Sequence, residues 1–229
     1  MHFVLVHGAG HGAWCWYKIR CLMEASGYKV TCLDLKSAGV DLADRNYVST
    51  FDEYNQPLTN FISNLPQNHK VCLVAHNASG ANITDAMYRF PEKIHVAIYI
   101  AANMWKHGSP GVDVKLKQPQ RDIYEFEYAF GPDQPPTSVK VNEKLRHKLL
   151  YSIESEGAGA RKYLDGPGDG SVPPRVFIKT VHDQMAIPEN QDAMIESWPP
   201  SNVYEVESDH SPFFSTPFAL FSLLVKAAT

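Results

Sequence analysis

Apolar residues fall into short blocks separated by amphipathic stretches. The blocks at residues 3–6, 29–35, 71–75, 96–100, 175–180 and 203–206 are rich in Val, Ile and Leu and read as strands. Several are apolar on both faces, as strands buried inside a parallel sheet must be. Between them the pattern turns helical. One helix is expected over residues 13–26, closed by Gly27. A second runs over 51–65, with Thr50 as N-cap and Pro66 just beyond. A third spans 79–90 and is ended by Pro91, a fourth starts at Pro188, and a closing helix covers 218–228. The alternation predicts one α/β domain over residues 1–229, a mostly parallel central sheet with helices on both faces.

The alternation stops at about residue 104 and resumes near 170. Turn signals crowd this stretch (Gly108-Ser109-Pro110-Gly111, Gly131-Pro132, Pro135-Pro136, Gly166-Pro167-Gly168) around one expected helix over 142–154. An insertion of this kind in a sheet protein reads as a short lid over the strand ends. Its aromatics Trp105, Tyr124, Phe126, Tyr128 and Phe130 suit either lid packing or the lining of a site for a flat ligand.

Composition narrows the picture. The chain of 229 residues carries 21 basic and 25 acidic side chains, a formal net charge of -4. There is no basic block, so nucleic acid is not an expected partner. No apolar run is long enough for a bilayer, and a strand starts at once after Met1, which leaves no room for a signal peptide and points to the cytoplasm. The expected partner is a small-molecule metabolite and, at most, a second copy of the chain in a homodimer. Cys15, Cys21, Cys32 and Cys72 are scattered, with no paired-ligand spacing, and read as four buried free thiols, not a zinc site. His7 and His11 share a short spacing but lack a third ligand, so neither metal nor cofactor is expected.

Chemistry gathers in three loops at the carboxyl ends of strands, where open parallel sheets bind their ligands. The first, His7-Gly8-Ala9-Gly10, is small enough to face its backbone N–H groups into a cavity. The second, Ala75-His76-Asn77-Ala78-Ser79-Gly80, has the place and shape of a nucleophile elbow with asparagine at its centre. Asparagine tolerates the positive φ such a turn requires. The third pairs Asp183 with His210, in Glu207-Ser208-Asp209-His210-Ser211. Elbow, acid and histidine follow in the chain order of an α/β-hydrolase triad.

These residues resemble the plant methylesterase and hydroxynitrile lyase family of α/β-hydrolases. The resemblance is carried by His7-Gly8-Ala9-Gly10-His11-Gly12-Ala13-Trp14-Cys15-Trp16-Tyr17-Lys18 and Thr50-Phe51-Asp52-Glu53-Tyr54-Asn55-Gln56-Pro57-Leu58. Towards the C-terminus it rests on Pro188-Glu189-Asn190-Gln191-Asp192-Ala193-Met194-Ile195 and Ser208-Asp209-His210-Ser211-Pro212-Phe213-Phe214. The last two segments, with Gly131-Pro132-Asp133-Gln134, look most like the methylesterase 17 type. The resemblance implies an α/β-hydrolase fold, Asp183 orienting His210, His210 as general base, and an oxyanion hole from the N–H groups of Ala9 and Ala78. It places Asn77 where the family carries its serine. Hydroxynitrile lyases of the group have lysine and threonine where this chain has Ser211 and Gly8, which disfavours cyanohydrin cleavage. The lid looks shorter than in relatives.

A carboxamide cannot be deprotonated at working pH and cannot form an acyl-enzyme. Losing the nucleophile from a triad costs up to roughly a million-fold in rate. The expected function is therefore non-hydrolytic acid–base catalysis on a small plant metabolite: decarboxylation, C–C cleavage, isomerisation or cyclisation. A weak methyl ester hydrolase and a catalytically inert ligand-binding protein are the alternatives. Ser79, in the first turn of its helix, is expected to point away from His210. Gly8, His11, His76, Trp105 and Tyr128 complete the expected site as substrate contacts.

Overall fold

The computed structural model describes residues 1–106, 124–134, 136–142, 144–145 and 172–229. The strands are β1 His2–Val6, β2 Lys29–Leu33, β3 Val71–His76, β4 Ile94–Ile100, β5 Tyr124–Glu127, β6 Ser138–Val141, β7 Arg175–Thr180 and β8 Asn202–Val206. The helices are α1 Tyr17–Ala25, α2 Phe51–Ser63, α3 Gly80–Arg89, α4 Pro188–Ser197, α5 Pro212–Ser215 and α6 Pro217–Ala228. Six strands form one sheet in the order β2-β1-β3-β4-β7-β8, and every pairing in it is parallel.

Both faces of the sheet are covered, and the pleat divides the side chains between them. On one face Phe3 and Leu5 pack with Trp16, Ile19, Met23, Phe213, Leu220 and Leu224 beneath α1 and α6. On the other, Val4 and Val6 pack with Leu58, Ile62, Ile83, Met87 and Met194 beneath α2, α3 and α4. This two-sided burial is why β1, β3 and β4 are apolar at nearly every position. Truncating a fully buried side chain such as Leu73 to alanine would cost about 2–5 kcal/mol.

Strand order decides where a ligand can sit. The chain steps from β1 outward to β2, then returns to place β3 on the other side of β1. The loops leaving β1 and β3 therefore lead into helices on opposite faces, and their carboxyl ends are where open parallel sheets bind ligands. Residues 7–10 and 76–80 lie there.

Several boundaries differ from expectation. The first helix opens with a 3₁₀ turn, Ala13–Trp16. β2 ends at Leu33 because Asp34 turns inward to accept the backbone N–H of Ala13 at 2.6 Å. α2 has the expected Thr50 cap as a full capping box with Glu53. In the insertion, β5 and β6 form an antiparallel hairpin that was not expected. Of the helix expected over 142–154, Lys144 and Leu145 are helical and most of the rest lies outside the described residues. The cysteine expectation also needs correction. Cys15 and Cys72 are buried, but Cys32 is partly open and Cys21 is exposed on the outer side of α1.

Candidate active site

β3 ends at His76, and the chain turns sharply into α3 through the 3₁₀ turn Asn77–Ser79. Asn77 has φ +54°, in the left-handed region. Two glycines make the turn feasible. A Cβ on Gly8 would stand 2.7 Å from His76 Nδ1 and 2.8 Å from Asn77 Cβ. A Cβ on Gly80 would stand 2.1 Å from the carbonyl oxygen of Asn103. Gly8 thus lets the first loop close on the elbow. Ala101, also left-handed at φ +43°, bends the end of β4 so that the Asn103 N–H donates to the Asn77 carbonyl at 2.8 Å. Nothing in the local sequence signals this brace.

Asp183 and His210 meet as expected. His210 Nδ1 donates to Asp183 Oδ2 at 2.7 Å, and both side chains are almost wholly buried. Asp183 accepts three further hydrogen bonds: from Thr180 Oγ1 and from the N–H groups of Met185 and Ala186, each at 2.8 Å. Gln191, fully buried on α4, clamps this loop. It accepts from the Thr180 N–H and donates to the carbonyls of Thr180 and Ala186. Sequence reasoning gave Gln191 no role of its own.

The two halves join at Asn77. An ionised Asp183 can only accept, so the His210 proton sits on Nδ1 and Nε2 is left as an acceptor. Asn77 Nδ2 donates to it at 2.8 Å. The other end of the carboxamide is also engaged, because Asn77 Oδ1 accepts the Ala78 N–H at 2.6 Å. The donor expected to hold a substrate oxygen is therefore occupied by the protein's own side chain. The Ala9 N–H has no acceptor among the described residues. Ser79 points back into the sheet, where the carbonyls of Val6 and His76 share its one hydroxyl proton and its oxygen accepts the His76 N–H.

Three more histidines back the site. His76 Nε2 donates to the His210 carbonyl at 2.7 Å, and its ring lies 4.6 Å from that of His210. Burial, helped by the neighbouring His210, pushes its pKa well below the usual histidine range. His11 Nδ1 donates to the Ala9 carbonyl at 3.2 Å, and burial lowers this ring to about 4. His7 is also lowered by burial; it accepts the Leu35 N–H and donates to Gly8. All three rings are neutral spacers at neutral pH. His76 Nδ1 and His11 Nε2 are buried with no hydrogen-bond partner among the described residues. Phe213 packs edge-on against both rings.

The two expected aromatic contacts part company. Trp105 stands two residues past Asn103, packs on the sheet's core and has a buried indole N–H with no partner among the described residues. Tyr128 is not brought to this cluster. It follows β5 and is 46% exposed, in a hairpin tied instead to residues 45–47 by Arg45–Glu127 (2.9 Å) and Tyr47–Phe130. No group of three or more His, Cys, Asp or Glu able to hold a metal occurs among the described residues. None of their helices is long and apolar enough to cross a membrane.

A six-stranded parallel sheet with an elbow after β3, an acid after β7 and a histidine after β8 defines an α/β-hydrolase. The Alpha/beta hydrolase family model matches residues 3–222, and the chain belongs to that family. Its relatives there include plant methylesterases. Methylesterase 17 of Arabidopsis thaliana is 47% identical over 251 residues, covering 99% of this chain and 91% of the relative. The crystal structure of the Arabidopsis methylesterase MES16 matches with a TM-score of 0.88 and 40% identity, over 99% of this chain and 98% of that one. Tomato methylketone synthase I, solved in complex with 2-tridecanone, matches with a TM-score of 0.83 and 33% identity, over 99% and 97%.

Proposed function

We propose that this protein is a non-hydrolytic acid–base enzyme of the methylesterase group, acting on a small carbonyl-bearing plant metabolite. The observation that carries the reading is the contact between Asn77 Nδ2 and His210 Nε2, beside an intact Asp183–His210 pair. Asn77 stands where a nucleophilic hydroxyl would meet the base, and a carboxamide cannot open an ester. The rest of the machinery suits proton transfer. A substrate carbonyl would displace Asn77 Oδ1 from the Ala78 N–H and share that donor with the Ala9 N–H. Loss of a proton beside the carbonyl, or of carbon dioxide from a β-keto acid, would leave an enolate on those donors. His210, oriented by Asp183, would take or return the proton. The likeness to a methylketone synthase supports carbonyl chemistry of this kind. The substrate-contacting residues are Asn77, His11 and Trp105, and the compartment is the cytoplasm.

A second reading has its own support. The likeness to Methylesterase 17 favours methyl ester hydrolysis, with His210 activating water directly.

A paired assay of wild type, Asn77→Ser and His210→Ala separates them, with methyl esters and β-keto acids as substrates. The proposal expects β-keto acid turnover by wild type, new ester hydrolysis in Asn77→Ser, and no turnover in His210→Ala. Fast ester hydrolysis by wild type that survives Asn77→Ala would overturn it. Loss of ligand affinity in both variants, with no turnover by any of the three proteins, would mean binding alone.

A further inference from the structure

The Asn77 side chain is itself an amide, and it is held as an amide substrate would be held in a hydrolytic site. Its oxygen rests on the Ala78 N–H at 2.6 Å, a donor that would stabilise negative charge on it. Its nitrogen, the atom that would leave, lies 2.8 Å from His210 Nε2. Behind His210 stands Asp183, with four donors on its carboxylate. The Asn103 N–H pins the Asn77 carbonyl, and the left-handed backbone at 77 fixes the turn.

We infer that Asn77 is a site of self-catalysed deamidation, converted by His210 and water to an aspartate at position 77. His210 Nε2 takes a proton from water as the water oxygen bonds to Asn77 Cγ. The negative charge collects on Oδ1 and is held by the Ala78 N–H. The proton then passes from His210 to Nδ2, the Cγ–N bond breaks, and ammonia leaves. A carboxylic acid remains, and its proton goes to the ammonia. One water is consumed, one ammonia is released, and nothing is oxidised or reduced. The product is a carboxylate beside a histidine, on an elbow.

The geometry also selects the product. Ordinary asparagine deamidation goes through attack of the next backbone nitrogen on Cγ, which gives a cyclic imide and mostly isoaspartate. Here that nitrogen is Ala78 N, and its hydrogen is directed at Oδ1. Attack would need this bond broken and the turn remade. The expected product is therefore aspartate, not isoaspartate. The inference rests on His210 and Asp183 acting as a proton-transfer pair, as proposed above, but on no particular substrate.

The test is peptide mass spectrometry across residue 77, on folded full-length protein aged in ¹⁸O-labelled water. Wild type should accumulate aspartate carrying one ¹⁸O. His210→Ala and the shape-conserving Asp183→Asn should slow this by about a hundredfold or more, and urea-unfolded wild type should lose the preference for aspartate. The inference is overturned if residue 77 stays asparagine in aged wild type. It is equally overturned if isoaspartate forms, or if His210→Ala converts as fast as wild type. An unchanged Asn77 together with turnover that depends on His210 would sink this inference and leave the proposed function standing.

Discussion

The two arms of the site are built from the same sheet end, yet they are satisfied in opposite ways. The Asp183–His210 arm is prepared for work. Four donors converge on one carboxylate, Gln191 clamps the loop from α4, and His210 keeps Nε2 as its acceptor. The Asn77–Ala78 arm is satisfied by itself. Its single carboxamide donates to His210 Nε2 and at the same time accepts the Ala78 N–H. On the proposed reading, proton transfer is retained while covalent catalysis is lost, because the two would depend on different loops.

The largest effect should come from breaking the prepared arm. Asp183→Asn keeps its shape but favours the wrong tautomer of His210. Turnover of the native substrate should fall by about 10⁴-fold, with little loss of stability by urea unfolding. A fall of less than tenfold would mean that His210 needs no orienting acid, and the comparison would collapse.

That contrast could be read only partly from the chain. β1, β3, β4 and the centre of β7 were legible because strands covered on both faces are apolar at nearly every position. The order of elbow, acid and histidine was legible because the elbow and the acid follow the buried strands β3 and β7, and the histidine follows the short edge strand β8. The hydrogen bond from Ala78 to Asn77 was not legible. It depends on the left-handed turn and on Asn103, which reaches the elbow only because β4 is bent at Ala101. The hairpin was misread although its signal was present. Tyr124-Glu125-Phe126-Glu127 alternates with a period of two, but its aromatics suited lid packing and a pocket lining equally, and the alternation was passed over. The strands pair with each other, and Tyr128 follows them to the surface.

Acid tests the histidines behind the elbow. Burial lowers His11 to about 4 from an unfolded value near 6.5, and lowers His7 and His76 as well. Above pH 6.5 these rings are neutral in both states, and their contribution to stability is fully present. As pH falls towards about 4 the unfolded rings take protons that the folded ones refuse, so stability is lost across that window. The His11 shift corresponds to on the order of 3 kcal/mol. Urea unfolding at pH 7 and pH 4.5 should show wild type losing that much more than His11→Gln. Equal losses would mean that His11 is not held as a buried neutral ring.

Freeing the occupied donor should have a smaller effect. Asn77→Ala removes the acceptor from the Ala78 N–H, so a ligand ketone no longer competes for that group. One hydrogen bond regained is worth about 1 kcal/mol, or roughly fivefold in affinity. Calorimetry with a long-chain methyl ketone should show this tightening in Asn77→Ala and none in Ser79→Ala. Weaker binding in Asn77→Ala would mean that the carboxamide holds the ligand and does not compete with it.

Thiol labelling gives the smallest effect and reads the elbow arm alone. Cys15 lies in the turn after the first loop, and Cys72 lies in β3, the strand that carries Asn77. Both are buried, and burial raises Cys15 well above the usual thiol range and Cys72 to about 12. Cys32, also pushed up to about 12, is partly open, while Cys21 is exposed. Iodoacetamide should therefore modify Cys21 first, Cys32 slowly, and Cys15 and Cys72 only on unfolding. Asn77→Ser should leave this order unchanged, because the elbow's backbone is held by Gly8, Gly80 and Asn103 and not by the side chain at 77. Early labelling of Cys72 in Asn77→Ser would show instead that the carboxamide's own hydrogen bonds keep the turn closed. The self-satisfied arm would then be a structural clasp.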